Sequence, residues 1–175
     1  EFRRVLFRSG GNVRRVTRRP GYDGGAFFSH DGKKLVLRSA FPADEKQAAE
    51  DAQLLTQQIV RPSHMEICIC DRDGGNFRQI TRNGAANFAP YFTPDDRRIL
   101  FASNMKGMEQ AAKTGDRSAA RRFNLFLVNV DGSGLEQATF SEEFDSFPMF
   151  SPDGKLLTET DPEVSEAIDF VEFVE

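Results

Sequence analysis

Residues 87–104, NFAPYFTPDDRRILFASN, decide how the rest of the chain is read. An aromatic pair leads into F-T-P-D-D-R, and a short apolar run follows. Pro94, Asp95 and Asp96 have the chemistry of a tight turn, because proline pre-sets φ and aspartate bonds back to the nearby backbone. Two other stretches align with this one, YDGGAFFSHDGKKLVLRS at 22–39 and FDSFPMFSPDGKLL at 144–157. Their shared kernel is F-[ST]-x-D-x-[KR]. The repeated turn positions are Asp31 and Gly32, Asp95 and Asp96, and Asp153 and Gly154.

A second motif runs between these copies. MEICICDRDGGNFRQIT at 65–81 matches FNLFLVNVDGSGLEQAT at 123–139 with a constant offset of 58, which holds through Leu157. The first copy lies 64 residues before the second, and GNVRRVT at 11–17 falls in register with GNFRQIT at 75–81. The six extra residues sit in one connection, since Ser39 to Glu66 is 27 positions and Ser103 to Asn124 is 21. A structural repeat behaves this way when a single loop faces solvent and can grow.

Each unit reads as four strands. FFS or YFT ends in the Asp turn, and KKLVLRS or RRILFAS follows it. EICICDR or NLFLVNV is nearly all apolar, as expected of a strand covered on both faces. Asp73-Gly74-Gly75-Asn76 and Asp131-Gly132-Ser133-Gly134 then supply residues that tolerate positive φ, and FRQIT or LEQAT closes the unit. Four antiparallel strands in chain order make a propeller blade. The expected fold is therefore all-β: a partial, open β-propeller of about two to three four-stranded blades, with an inserted helix and a C-terminal helix. The inserted helix is predicted within residues 44–58, with Ala48, Ala52, Leu55 and Ile59 on one face. The matching segment 106–122 is basic and less periodic, and reads as a loop or a short helix.

Composition supports a packed protein: 39% of 175 residues are hydrophobic, including 17 Phe. Seven of the 23 Lys and Arg lie in residues 1–20, and residues 21–175 carry 16 basic against 26 acidic side chains, a net charge of −10. That balance argues against a nucleic-acid binder. No run of about 18 apolar residues is present to span a membrane. Cys68 and Cys70 lack further ligands nearby and read as small buried hydrophobes.

The chemistry of catalysis is missing from the pattern. His30 and His64 have no nucleophile at a recognisable spacing, and the G-x-S-x-G elbow does not occur. Residues 71–76 begin like a calcium loop, but Arg82 stands where the loop needs a glutamate, so a hairpin turn is expected. No phosphate-binding loop occurs. No enzymatic activity, cofactor or metal is therefore expected. Recurrence of Phe27, Phe28, Tyr91, Phe92, Phe147 and Phe150 argues for packing between blades. The variable connections are the expected contact surface, because they emerge at the same place in successive blades and share one rim. Its candidate residues are Glu45, Gln53, Gln57, Lys106, Lys113, Arg117 and Arg121.

FTPDDRRILFASN, LVNVDGSGLEQAT and FPMFSPDGK resemble the TolB-like family of bacterial β-propellers over about residues 11–157. The resemblance implies a propeller of several blades, periplasmic or envelope-associated, whose partners are proteins of the cell envelope. A different class with similar repeats is the non-catalytic propeller portion of a prolyl-oligopeptidase-type serine peptidase. The chain departs from the family pattern at His30, in the proline position of the turn, at Asp96, in its glycine position, and at Gly24-Gly25-Ala26. A closed propeller needs at least four blades and often six or more, so the chain reads as a fragment whose remaining blades are missing.

Both ends read as foreign to the repeat. EFRRVLFRS at 1–9 back-translates to a sequence that resembles a widely used sequencing-library adapter. Residues 10–157 form the expected propeller portion. Residues 158–175 form an acidic tail with Asp161 as N-cap, Pro162 at the first helical position, and Val164, Ile168 and Val171 on one helical face. This tail resembles an N-terminal segment of proline-catabolic aldehyde dehydrogenases.

Overall fold

The structure, a computed structural model, describes residues 14–142, 144–151, 153–160 and 168–172. Strands β1 (Asp23–Phe28), β2 (Lys34–Ala40), β3 (Met65–Asp71) and β4 (Arg78–Gln79) form one antiparallel sheet in chain order. Strands β5 (Asn87–Phe92), β6 (Arg98–Ser103), β7 (Asn124–Asn129) and β8 (Glu136–Gln137) form a second sheet of the same order. A third sheet holds β9 (Ser146–Phe150), β10 (Leu156–Thr160) and β11 (Ile168–Glu172) in the order β11-β10-β9. The architecture is a partial, open propeller, with two four-stranded blades and three strands of a third among the described residues.

Register repeats as faithfully as sequence. The first strand of each blade carries a bulge, and Gly25, Ala89 and Phe147 sit at it with φ of +60°, +48° and +52°. The bulge adds twist at the innermost strand and turns the following side chains toward the next blade. Val36, Ile67, Ile69, Phe92, Phe101 and Phe126 fill the space between blades 1 and 2. Leu100, Leu125, Leu127 and Phe150, with Phe88 and Tyr91, fill the space between blades 2 and 3. Cys68 and Cys70 are buried with Leu35 and Leu37 on the outer face of blade 1, covered by Val16 and Phe77. Burial pushes the Cys68 thiol up to about 12, so it packs as a neutral hydrophobe.

The segment before blade 1 packs as a fourth strand would. Gly74 lies against the Val16 carbonyl, and its counterpart Gly132 lies against the Ile80 carbonyl. Arg14 donates to the Arg72 carbonyl at 3.3 Å, and Arg78 donates to the Val130 carbonyl at 3.2 Å. These pairs are related by the repeat offsets of 64 and 58. An exposed arginine therefore clasps the turn of the next blade at both places.

Both connections between second and third strands are helical. Helix α1 (Glu45–Thr56) is capped by Asp44, which accepts from the Gln47 amide at 2.7 Å, while the Gln47 side chain accepts from the Ala43 amide. Helix α2 (Met105–Thr114) ends at Gly115 with φ +78°, and a single 3-10 turn (Ala119–Arg121) follows. Gly107 lies directly on the Ala119 carbonyl, leaving no room for a side chain there. Ile59 lies outside α1 and is exposed, so the apolar face ends earlier than its spacing suggests.

The C-terminal helix is not found where its apolar face was expected. Ile168 and Val171 lie on β11, which pairs antiparallel with β10 from Leu156↔Glu172 to Thr160↔Ile168. The residues of IDFVE are rich in strand formers, and the free edge of β10 offers backbone donors and acceptors that a helix would leave unused. Asp161, Pro162 and Val164 lie outside the described residues, as do residues 1–9.

A buried polar seam crosses each junction. At the first, Glu66 accepts from the Thr81 hydroxyl at 2.6 Å, from the Asn83 and Gly84 amides at 3.0 and 2.7 Å, and from Asn87 Nδ2 at 3.3 Å. Asn87 also donates to the Met65 carbonyl at 2.6 Å. At the second, the same positions are filled by Asn124, Thr139, Ser141 and Asp145. Asn124 donates to Asp145 Oδ2 at 3.2 Å, and Thr139 and Ser141 both donate to the same carboxylate. Between the facing positions 66/87 and 124/145 the carboxylate and the carboxamide have exchanged places, and each facing pair keeps one of each. Asn87→Asp should put two buried carboxylates together and cost about 2–4 kcal/mol. Adding Glu66→Gln should recover at least half of that loss, as a urea-denaturation double-mutant cycle would show; independent, additive losses would refute the seam as described.

Candidate functional site

Three Asp turns line up along one end of the blades. In each, the turn carboxylate accepts from the hydroxyl two residues before it: Ser29 to Asp31 at 2.7 Å, Thr93 to Asp95 at 2.7 Å, and Ser151 to Asp153 at 2.5 Å. It also accepts from the amide two residues on, at Lys33, Arg97 and Lys155. Gly32, Asp96 and Gly154 hold the left-handed position, with φ of +68°, +59° and +73°. The Lys33 amide, then the Ser29 hydroxyl and the Lys33 side chain, hold the Asp31 carboxyl down at about 2. The Ser151 hydroxyl and the Lys155 amide likewise lower Asp153. The carboxylates of Asp31, Asp95 and Asp153 build turns and are used within them.

Two departures from the repeat meet here. Asp96, in a glycine position, accepts from the His30 amide at 2.7 Å, the Asp31 amide at 3.0 Å and His30 Nδ1 at 3.1 Å. A proline at 30, as at Pro94, would have no amide to donate. At the next junction the glycine is kept, and Pro94 packs directly on Gly154. The two irregularities therefore form one contact between blades 1 and 2.

The other end of the blades carries the variable connections. Ser39 pairs with both Asp23 and Glu66, and Ser103 with both Asn87 and Asn124, so α1 and α2 leave their sheets at the same end. Glu45, Gln53 and Gln57 are exposed on or just after α1, and Lys106, Lys113, Arg117 and Arg121 are exposed on α2 and the turn that follows. Lys106 is paired with Glu109 at 3.0 Å. Arg61 returns to α1, bonding Asp51 at 2.8 Å and Glu50 at 3.0 Å, and ties the helix to the chain that enters β3. A cavity of about 120 Å³ lies under α1, walled by Tyr22, Ala52, Leu55 and Met65.

Between the blades at this same end lies a larger groove, about 570 Å³, which the sequence reading missed. Phe88, Phe123, Phe144 and Phe147 form its wall, with ring centroids 4.9–5.8 Å apart. Phe27, Met149 and Arg38 complete it. Phe123 and Phe144 precede their strands and have no equivalent in the F-[ST]-x-D kernel, so recurrence could not reveal them. The aromatic pairs do pack between blades, with Phe27 5.2 Å from Tyr91 and Tyr91 6.3 Å from Phe150. Phe147 is different, since it is exposed at the bulge in a left-handed conformation that rarely holds a large side chain. Among the described residues no group of three or more His, Cys, Asp or Glu could hold a metal, and no helix is long and apolar enough to cross a membrane. Residues 71–76 form a hairpin turn, with Asn76 donating to Asp71 at 2.6 Å and the Gly75 amide to Asp73 at 2.9 Å.

No family model matches the chain. An uncharacterised protein of Agrobacterium fabrum is 31% identical over 126 residues, 72% of this chain and 38% of that protein. A TolB homologue of Chlorobium luteolum is 27% identical over 125 aligned residues, covering 55% of this chain and 29% of that protein. The chain thus spans well under half the length of the curated relatives it matches. Among solved structures, TolB of Acinetobacter baumannii superposes with a TM-score of 0.55 at 15% identity, over 90% of this chain and 34% of that one. A puromycin-hydrolysing peptidase of Mycobacterium tuberculosis superposes with a TM-score of 0.54 at 14% identity, over 94% of this chain and 23% of that one. These likenesses establish a TolB-like propeller fold.

His30→Pro is expected to destabilise the protein by about 1–2 kcal/mol, although it restores the proline of the other turns. In the Asp96→Gly background the same change should cost under about 0.5 kcal/mol, because the amide then has no carboxylate to lose. Equal costs in both backgrounds, measured by urea denaturation, would show that the contact contributes nothing. The Asp31 carboxyl is held below its unfolded value, so the stability it lends is present above about pH 4 and is lost as pH falls toward 2. Ser29→Ala should move its titration upward by NMR, and an unchanged midpoint would exclude the hydroxyl as a cause.

Proposed function

We propose that this chain is part of a non-enzymatic, envelope-associated propeller that binds protein partners through the end of the blades bearing α1 and α2. The observation that carries this reading is the coincidence of two surfaces at that end: an aromatic groove between the blades and two exposed helices beside it. Aromatic rings on a rigid sheet give a partner large contact area at little entropic cost. An envelope location rests on the TolB-like relatives.

A second reading has a specific observation in its favour. The superposition on the mycobacterial peptidase covers 94% of this chain and only 23% of that one. On that reading the blades are the non-catalytic propeller of a serine peptidase of the prolyl-oligopeptidase type.

The test uses the complete gene product in its bacterial host. A photo-cross-linking residue at Gln53, Lys113 or Arg117 should capture one defined protein in the periplasmic fraction. The purified protein should leave prolyl and aminoacyl chromogenic substrates intact. Turnover of such substrates would replace the scaffold reading with the peptidase one. A protein confined to the cytosol would end the envelope assignment.

A further inference from the structure

Blade 1 differs from blade 2 at four neighbouring positions. Tyr22, Gly24, Gly25 and Arg38 stand where the offset of 64 places Ala86, Phe88, Ala89 and Ala102. Three of the changes, at Tyr22, Gly24 and Arg38, fit together. The Tyr22 hydroxyl occupies the space that a side chain at Gly24 would need. Arg38 Nη2 donates to that hydroxyl at 3.3 Å, and the guanidinium lies 5.3 Å from the Tyr22 ring. Gly25 has φ +60°, and a Cβ there would lie 4.0 Å from Arg38 Nε. Gly24 therefore makes room for the Tyr22 hydroxyl, and that hydroxyl holds a guanidinium where blade 2 buries an alanine.

That guanidinium lines the aromatic groove. Among the described residues Arg38 has the Tyr22 hydroxyl as its hydrogen-bond partner, its Nε has none, and no carboxylate pairs with it. Its Nε is buried and the Tyr22 ring lies against it, and a partly desolvated guanidinium attracts a carboxylate more strongly than one at an open surface. We propose that the groove receives a segment of a partner protein that sets an apolar or aromatic side chain among Phe88, Phe123 and Phe147 and a carboxylate on Arg38. This deepens the protein-binding reading and rests on it. A peptide is favoured over a free aromatic acid because the groove, with walls from three blades, opens at the end where α1 and α2 emerge. A bound chain can therefore continue onto that rim.

The test compares acetyl-Phe-Pro-Phe-Glu-amide with its Gln counterpart, titrated into the full-length protein and followed by NMR. The Glu peptide should bind at least fivefold more tightly and shift the Arg38 and Phe147 resonances. The difference should vanish in Arg38→Met and persist in Arg38→Lys. Equal affinities for the unaltered protein, which need no variant to fold, would overturn the role of Arg38 and leave the protein-binding reading standing. Absence of binding by either peptide would overturn the groove as the site, while a cross-link at the α1 or α2 rim would still support a protein partner elsewhere on that end. Tighter binding of 3-phenylpropionate than of the Glu peptide would overturn the peptide assignment in favour of a small aromatic acid.

Discussion

One buried carboxylate facing one buried carboxamide closes each junction between blades, and the rest of the architecture depends on that pairing. The chain must cross there from the fourth strand of one blade to the first strand of the next, leaving backbone amides away from water. Glu66 satisfies the Asn83 and Gly84 amides at one crossing, while Asp145 holds Thr139 and Ser141 at the other. A second carboxylate would add a like charge that a low dielectric cannot tolerate, and a second carboxamide would leave the donors without an ionic acceptor. One of each is the stable solution, and either order meets it. The exchange of positions between the two seams follows from that symmetry.

With the seams fixed, the apolar faces between blades become directional. Phe92 and Phe150, which follow a preceding blade, are 1% and 8% exposed, whereas their counterpart Phe28 is 61% exposed. The difference lies in the neighbour, because the three residues occupy the same strand position. Each blade thus presents one face made to cover the blade before it and another made to be covered. The Val16 segment shields part of the outer face of blade 1 by using the same contacts that β4 makes with blade 2.

Irregularities in the repeat come in compensating groups, and they gather at the two ends of the blades. At one end His30 and Asp96 replace a proline and a glycine and bind each other. At the other, Gly24 and Gly25 give up side chains, Tyr22 fills the space, and Arg38 gains a place beside the aromatic groove. A repeat supplies the same scaffold at every blade, so specificity has to be built from positions where one blade breaks the pattern.

Much of the fold was legible because a propeller is local: each strand pairs with its neighbour in sequence, and one blade's spacing predicts the next. The turn kernel of residues 92–97, the offsets of 64 and 58, and the length change confined to one connection were enough to give the blades and both insertion points. The inserted helix was legible from its periodicity, while its Asp44 cap was seen only in the structure. The C-terminal helix was misread over Ile168–Glu172, because periodicity cannot register an open strand edge waiting at β10. Nor could the sequence show that Glu66 faces Asn87, that His30 faces Asp96, or that Phe88, Phe123, Phe144 and Phe147 converge with Arg38. Those pairs are separated by 21, 66 and up to 109 positions, and their meeting is decided by how one sheet stacks on another. The sequence by itself determined the strands and their order. The tertiary structure alone decided the surface, since a groove between blades belongs to no blade's own pattern.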